Sequence, residues 1–334
     1  MVITTGEGAD RVRLELLSED KAWFHHLIQE YQLPDIHFDE GDIRVIRDEK
    51  GQISSDIRTP RQNSQIADQI VEIVQGLAQD NDSAIHASIA GGRKTMGFYL
   101  GYAMSLCGRP QDRLSHVLVE EDFEGNSEFF YPSSKSKTIY GRDGKPLDAS
   151  RARVMLADIP FVRLRDGLPE QLLSGRASFS EIVNAAQRLY GEISLKINPL
   201  ARCIECAGVP VELTTTEMAF YLFMAHRVLD GKPAVRWDDE GWKANYLYAY
   251  RCLVSEYSAE YEKFEEVRML LEKADPEDEK NYFEQRKSRT NSALKTKLGK
   301  KLAEPYLIQR SGLRGRSRYG INIDADAIEL MNGH

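Results

Sequence analysis

The residues best suited to chemistry stand together in residues 85–101, which read IHASIAGGRKTMGFYLG. Two glycines, Gly91 and Gly92, precede two cations, Arg93 and Lys94. Two hydroxyl side chains, Ser88 and Thr95, flank them. Glycine lets backbone N–H groups approach an anion closely. Arg93 and Lys94 bring full positive charge to the same point. Such a set can hold a phosphate, and it can neutralise charge that builds on a reacting phosphodiester.

The flanking residues say which elements position this set. An apolar run over 84–90 stops at Gly91-Gly92. After the cations, apolar residues recur at Met96, Tyr99, Leu100, Ala103 and Leu106, at the spacings of one helix face. The order is strand, glycine turn, two cations, helix. The first turn of a helix leaves N–H groups unpaired and carries partial positive charge, so this is a place for a phosphate. It is not a Walker A loop, which needs glycine where Ser88 and Arg93 stand, nor the G-x-G-x-x-G dinucleotide pattern. The plain alternative is a turn with capping glycines and two solvated cations. Adjacent Arg and Lys at a helix N-terminus oppose the helix dipole, however, and a broken local rule is better explained by an anionic ligand.

With 334 residues, 42% hydrophobic and 29% charged, the chain can form two globular domains, each with a core. A net charge of −8 excludes a generic polyanion binder. Cys107, Cys203, Cys206 and Cys252 do not make a disulfide framework, which points to a reducing cytoplasm. No apolar run reaches membrane-spanning length, and no signal-peptide pattern opens the chain, so a cytoplasmic protein without a membrane partner is expected.

Residues 2–5 read as a strand, 6–9 as a turn, and 12–31 as a helix stopped by Pro34. A second strand is expected at 43–46. Thr59-Pro60-Arg61-Gln62 fits a helix start, with Thr as N-cap and Pro at the first helical position. Residues 114–119 form another strand. The alternation of strands and helices predicts a parallel sheet with helices on both faces, with ligands at the carboxyl ends of its strands. The turn at Gly6, the 54–59 loop and residues 91–95 are therefore expected on one edge. Residues 129–167 read as loop-rich, with an extended segment over 154–164. The first domain is expected over 1–175 and a linker helix within 176–192.

Residues 193–330 have a different texture: three short strands at 193–197, 202–205 and 209–213, a capping signal at 214–217, an apolar helix at 218–228 and a helical stretch at 242–271. An acidic break at 276–279, a basic helix at 288–302 and a hairpin around Gly312 follow. Sheet, helices, basic helix and hairpin are the order of a winged helix-turn-helix with a helical insertion over 240–285. Residues 286–318 hold eleven cations against Glu304 alone, a net +10 that leaves −18 for the rest of the chain. Such polarity is the footprint of a nucleic-acid face. Arg289, Lys295, Lys297, Lys300, Arg314, Arg316 and Arg318 are the candidate contacts to double-stranded DNA. A winged helix used for dimerisation, with a solvated basic face, is the alternative. Cys203-Ile-Glu-Cys206 lacks two further ligands at zinc spacing, so no metal site is expected. His86 and His116 are possible acid/base groups, although histidines on strands are more often structural.

Several strings resemble one family. Residues 88–97 (SIAGGRKTMG), 108–119 (GRPQDRLSHVLV), 56–60 (DIRTP) and 159–165 (IPFVRLR) are together similar to the CRISPR-associated Rossmann-fold (CARF) proteins, and within them to the CRISPR-associated ring nucleases. The resemblance covers roughly residues 1–170. It implies a Rossmann-like α/β domain and a homodimer that binds a cyclic oligoadenylate, cyclic tetra-adenylate first among them, with no cofactor. It implies cleavage without a metal: a ribose 2′-hydroxyl attacks the adjacent phosphodiester in line and leaves a cyclic phosphate. Arg93 and Lys94 would be catalytic, and Thr5, Gly6, Arg58, Ser88, Gly91, Gly92, Thr95 and Met96 would bind the ligand. The branch places a further strand and a glycine-containing loop ahead of the strand at Val2, and this domain is expected to lack them. Relatives with a C-terminal ribonuclease domain carry Arg, four to six residues, then His. Neither His226 nor His334 has that spacing, so no such domain is expected. A messenger-responsive DNA-binding regulator without catalysis is the rival function.

The three-stranded start, residues 214–217 (TTTE), residues 294–298 (LKTKL) and the glycine-rich wing also resemble the response-regulator type of winged helix.

Overall fold

The computed structural model describes residues 1–34, 36–54, 59–174, 177–312 and 317–331. The chain divides into two compact units. Unit 1 comprises Met1–Arg165 and Gln171–Val183; unit 2 comprises Asp166–Glu170 and Asn184–His334. The architecture is mixed α/β with several small sheets. No helix among the described residues is long and apolar enough to cross a membrane.

Unit 1 opens with β1 (Val2–Thr4) and α1 (Gly6–Val12). The expected turn at Gly6 is thus the first turn of a helix. Thr5 is its N-cap, its hydroxyl accepting from the Gly8 amide, and a Cβ on Gly8 would fall 1.9 Å from Thr4 Oγ1, so a larger residue there would have to displace the Thr4 side chain. The long helix expected over 12–31 is also broken. A π-helical turn (Arg13–Leu17) gives way to α2 (Trp23–Tyr31), which starts at Ala22 and ends at Gln32, both in the left-handed region.

β2 (Ile43–Val45) pairs in parallel with β1. α3 (Pro60–Leu77) begins at the Thr59 capping box foreseen from Thr59-Pro60-Arg61-Gln62. β3 (His86–Ser88), α4 (Lys94–Cys107) and β4 (Arg113–Val119) follow, with β3 parallel to β4. The next segment carries an antiparallel hairpin, β5 (Thr138–Tyr140) with β6 (Pro146–Asp148), where loop was expected. β7 (Val154–Asp158) then pairs antiparallel with β4. Parallel strands need a crossover, usually an α-helix; between β4 and β7 stand only the hairpin and one 3-10 turn (Ala149–Arg151), and the chain returns antiparallel. The expected single parallel sheet is therefore two hydrogen-bonded groups, β1-β2 and β3-β4-β7, beside the hairpin. Ile66, Ile70, Val71 and Val74 of α3 are buried, as are Ala103, Met104 and Leu106 of α4, and the two helices pack together. α5 (Glu170–Leu173) is one short turn. The division between the units passes through α6 (Phe179–Arg188).

In unit 2, β8 (Leu195–Asn198), β9 (Cys203–Cys206) and β10 (Val209–Glu212) form the expected antiparallel meander. α7 (Thr215–Leu229) starts at the capping box of Thr214 and Glu217. It is buried continuously from Met218 to Ala225, against Trp242, Tyr246, Phe283 and Tyr306. The expected helical stretch over 242–271 is two helices, α8 (Trp242–Arg251) and α9 (Ala259–Lys273).

The expected acidic break at 276–279 is instead the first turn of α10 (Pro276–Leu298). Asp275 is the N-cap, Pro276 stands where its missing N–H costs nothing, and Glu277, Asp278 and Glu279 favour the positive end of the helix. The basic helix is the second half of this 23-residue element. After α11 (Lys300–Ala303), β11 (Ile308–Ser311) and β12 (Arg318–Ile321) make the expected hairpin. β13 (Ile328–Leu330) then adds a fourth strand, parallel to β8.

Candidate functional site

The anion-receptive set stands where β3 hands over to α4. Gly91 and Gly92 have φ of +81° and +74°, a region that favours glycine, and nothing lies within 4 Å of where a Cβ would project. Their role is thus conformational, and it leaves the turn open to solvent. Ser88, Gly91, Gly92, Arg93, Lys94 and Thr95 are all exposed. The Ser88 hydroxyl accepts from the Ala90 amide (3.3 Å) and shapes the turn.

Arg93 occupies the N-cap position with extended backbone, and no side chain caps the helix there. α4 has no acidic residue in its first turn. Its leading N–H groups therefore meet two cations instead of the acceptor that usually sits at a helix start. Lys94 forms no ion pair among the described residues. Met96, expected to touch ligand, is buried instead, and its amide donates to Arg93 O (2.9 Å). Helical periodicity turns it to the α3 side.

The other candidates of this unit separate into two groups. The Thr5 side chain is buried and used as the α1 cap, so it is unavailable as a ligand group. The Gly6 amide donates to Ser54 O (3.0 Å), which joins the first turn to the start of the 54–59 loop. Among the described residues, no hydrogen bond links Thr5 or Gly6 to Gly91, Gly92, Lys94 or Thr95. Arg58 lies outside the described residues. The His86 ring bonds the Ser115 hydroxyl (2.9 Å), in keeping with a structural role.

The far end of α4 is built in the opposite way. Asp112 is fully buried and Arg109 is 4% exposed. Arg109 Nη2 donates to Asp112 Oδ1 and Nε to Oδ2, both at 3.0 Å. The amides of Arg109 and Ile85 donate to the same carboxylate at 2.7 and 2.8 Å. Burial opposes the charge on Asp112, but the Arg109 guanidinium and these amides hold its carboxyl below the usual range. Arg163 donates to Arg109 O (3.0 Å) and Asp112 O (2.9 Å), and Arg165 to Cys107 O (2.9 Å). The strings around 108–113 and 159–165 thus form a clamp. They lock the end of α4 to the starts of β3 and β4, which fixes the direction of α4's open end.

Sequence reasoning missed Phe98. It is 63% exposed, one helical turn after Lys94 and on the same side of α4. The signal was present: Phe98 is the large apolar residue that falls off the buried stripe.

In unit 2 the cations are not equivalent. Arg289, Lys295, Lys297, Lys300, Lys301 and Arg310 are exposed and form no ion pair among the described residues. Arg318, expected to contact nucleic acid, is instead held by Asp239 (2.6 and 3.1 Å) and by Ala234 O (2.9 Å). The fold spends its guanidinium on an intramolecular bidentate pair. Arg314 and Arg316 lie outside the described residues. Cys206 is buried, and burial pushes its thiol well up, so it is not poised as a thiolate. Among the described residues, exposed His37 and Asp39 with half-buried Asp42 have metal-compatible spacing, but Asp39 and Asp42 form the capping box of a short helical turn.

Fold and site define a mixed α/β protein that presents an uncapped, cationic helix start. The chain belongs to the family described as CRISPR-associated protein NE0113 (Cas_NE0113), which matches residues 1–192. The match ends just before β8, so it covers unit 1 and leaves most of unit 2 outside. No curated protein and no solved structure matches the chain.

Proposed function

We propose that the protein binds a cyclic oligoadenylate, cyclic tetra-adenylate first among them, and opens it by metal-independent ring cleavage that attenuates CRISPR signalling. The observation that carries this reading is the exposed Gly91-Gly92-Arg93-Lys94 turn at the uncapped start of α4, in a chain of a CRISPR-associated family. The resemblance of unit 1 to CARF ring nucleases supplies the substrate class. In the reaction the 2′-oxygen forms a bond to the adjacent phosphorus and the bond from phosphorus to the 5′-oxygen breaks. The proton leaves the 2′-hydroxyl and ends on the 5′-oxygen, giving a cyclic phosphate. Lys94 and Arg93 neutralise charge on the phosphate oxygens, Ser88 and Thr95 donate hydrogen bonds, and the turn holds the backbone in line. A homodimer, placing two such turns around one ring, completes the site.

The test is incubation of the full chain with cyclic tetra-adenylate in the presence of a chelator. Linear product that disappears in Lys94→Ala supports the reading. Absence of product, or full activity of Lys94→Ala, rejects cleavage.

A second reading is favoured by the outer face of α10. Gln285, Ser288, Arg289, Ser292, Lys295 and Thr296 are exposed at helical spacing, with no acid among them. With the hairpin β11–β12 after it, this resembles a winged-helix recognition element, so unit 2 is proposed to bind double-stranded DNA when the messenger is bound. Gel shifts with and without cyclic tetra-adenylate should show a shift that weakens steeply with salt; a salt-insensitive or absent shift rejects it.

A further inference from the structure

An exposed Phe on a helix is ordinary by itself; the way Phe98 is held is not. Its ring stacks on Tyr102 (5.8 Å between centroids, 20° between planes) and meets Tyr99 edge-on (5.6 Å). Tyr99 and Tyr102 both pack against Phe179, each at 5.3 Å, and Asn63 donates to the Tyr99 hydroxyl. One face of the aromatic cluster is thus backed by protein, while Phe98 stays 63% exposed. The orientation follows from the helix. Side chains on a helix lean toward its N-terminus, and Phe98 follows Lys94 by one turn on the same side of α4. One turn rises about 5.4 Å, a span comparable to the reach of a nucleotide from phosphate to base. α4 contains no Asp or Glu, so nothing on this face repels an anionic ligand.

We infer that Phe98 is a stacking platform for one adenine of the cyclic ligand, one helical turn from the phosphate held at Lys94. The inference rests on the proposed binding of a cyclic oligoadenylate at this turn. It assigns to that site a preference for purine bases, which stack more strongly than pyrimidines. The competing occupant of the ring is a second copy of the chain. Polar Lys94 and Thr95 beside Phe98 favour the nucleotide, because an interface between copies would surround the ring with apolar side chains.

The experiment measures binding of cyclic tetra-adenylate and of its uridylate counterpart to the full chain, by calorimetry, with the oligomeric state followed by sedimentation. Phe98→Ala should weaken the adenylate ring roughly ten- to hundred-fold, the range expected for one lost base–aromatic stack. The uridylate ring should lose much less, Phe98→Trp should restore adenylate binding, and sedimentation should be unchanged. Phe98→Ala with wild-type affinity overturns the inference while the proposed function stands. Loss of the dimer in Phe98→Ala overturns it in favour of an interface. A wild-type chain that binds neither ring removes the proposed function, and this inference with it.

Discussion

The start of α4 and the end of α10 both gather cations, and they do so for opposite reasons. α10 opens on Asp275 and three acids and closes on Lys295 and Lys297. Each charge sits where the helix dipole favours it, so the basic end needs no ligand to explain its sign. α4 opens on Arg93 and Lys94, with no cap and no acid. There the dipole and the side chains repel each other. That arrangement forgoes free energy, which a phosphate bound there would recover. The same residue types therefore carry different information according to which end of a helix they occupy, and this makes the α4 turn the stronger candidate site.

The two ends of α4 offer the largest way to break this comparison. The open end is useful only if the other end is fixed, and Asp112 with Arg109 does the fixing. Asp112→Ala leaves Arg109 buried without its partner and should cost about 3–5 kcal/mol, read as a drop in the urea midpoint of unit 1. If the midpoint holds, the clamp is not what aims α4. The pH dependence follows from the depressed folded pKa of Asp112. Its contribution is fully present above an unfolded value of about 3.9 and is lost as pH falls through the folded value. Wild-type protein should lose stability in that acidic window, and the part of the loss due to Asp112 should vanish in the variant.

A smaller pair of changes sharpens the comparison by its signs. Lys94→Glu should stabilise the fold by about 0.3–1 kcal/mol while abolishing cyclic tetra-adenylate binding, and Lys295→Glu should destabilise it by about the same amount. Chemical denaturation at low salt reads both. Shifts of the same sign would show that the dipole does not distinguish the two sites.

Much of the local framework was legible in the sequence. The capping boxes at Thr59 and Thr214 depend on contacts within one turn, so residue type and spacing suffice. The glycine turn was legible for the same reason, since positive φ is a local demand. Sequence and structure part where two local signals compete. Residues 276–279 read as an acidic break, although the Asp275 N-cap, Pro276 and the helix dipole together start a helix there. Gly6-Glu7-Gly8-Ala9 reads as a turn, whereas Thr5, with its hydroxyl accepting from the Gly8 amide, starts a helix there.

By itself the sequence determined the order strand, glycine turn, cations, helix, and the charge polarity of residues 286–318. Only the tertiary structure decided which of those charges are available. Arg318 is spent on Asp239, 79 residues away. Arg163 reaches back 51 residues to Asp112 O. β13 closes onto β8 from the far end of unit 2, and Phe98 is left outside the stripe that α3 covers. Periodicity and capping act within a turn or two of chain, whereas the pairing of a charge or the exposure of a ring depends on which distant element packs beside it.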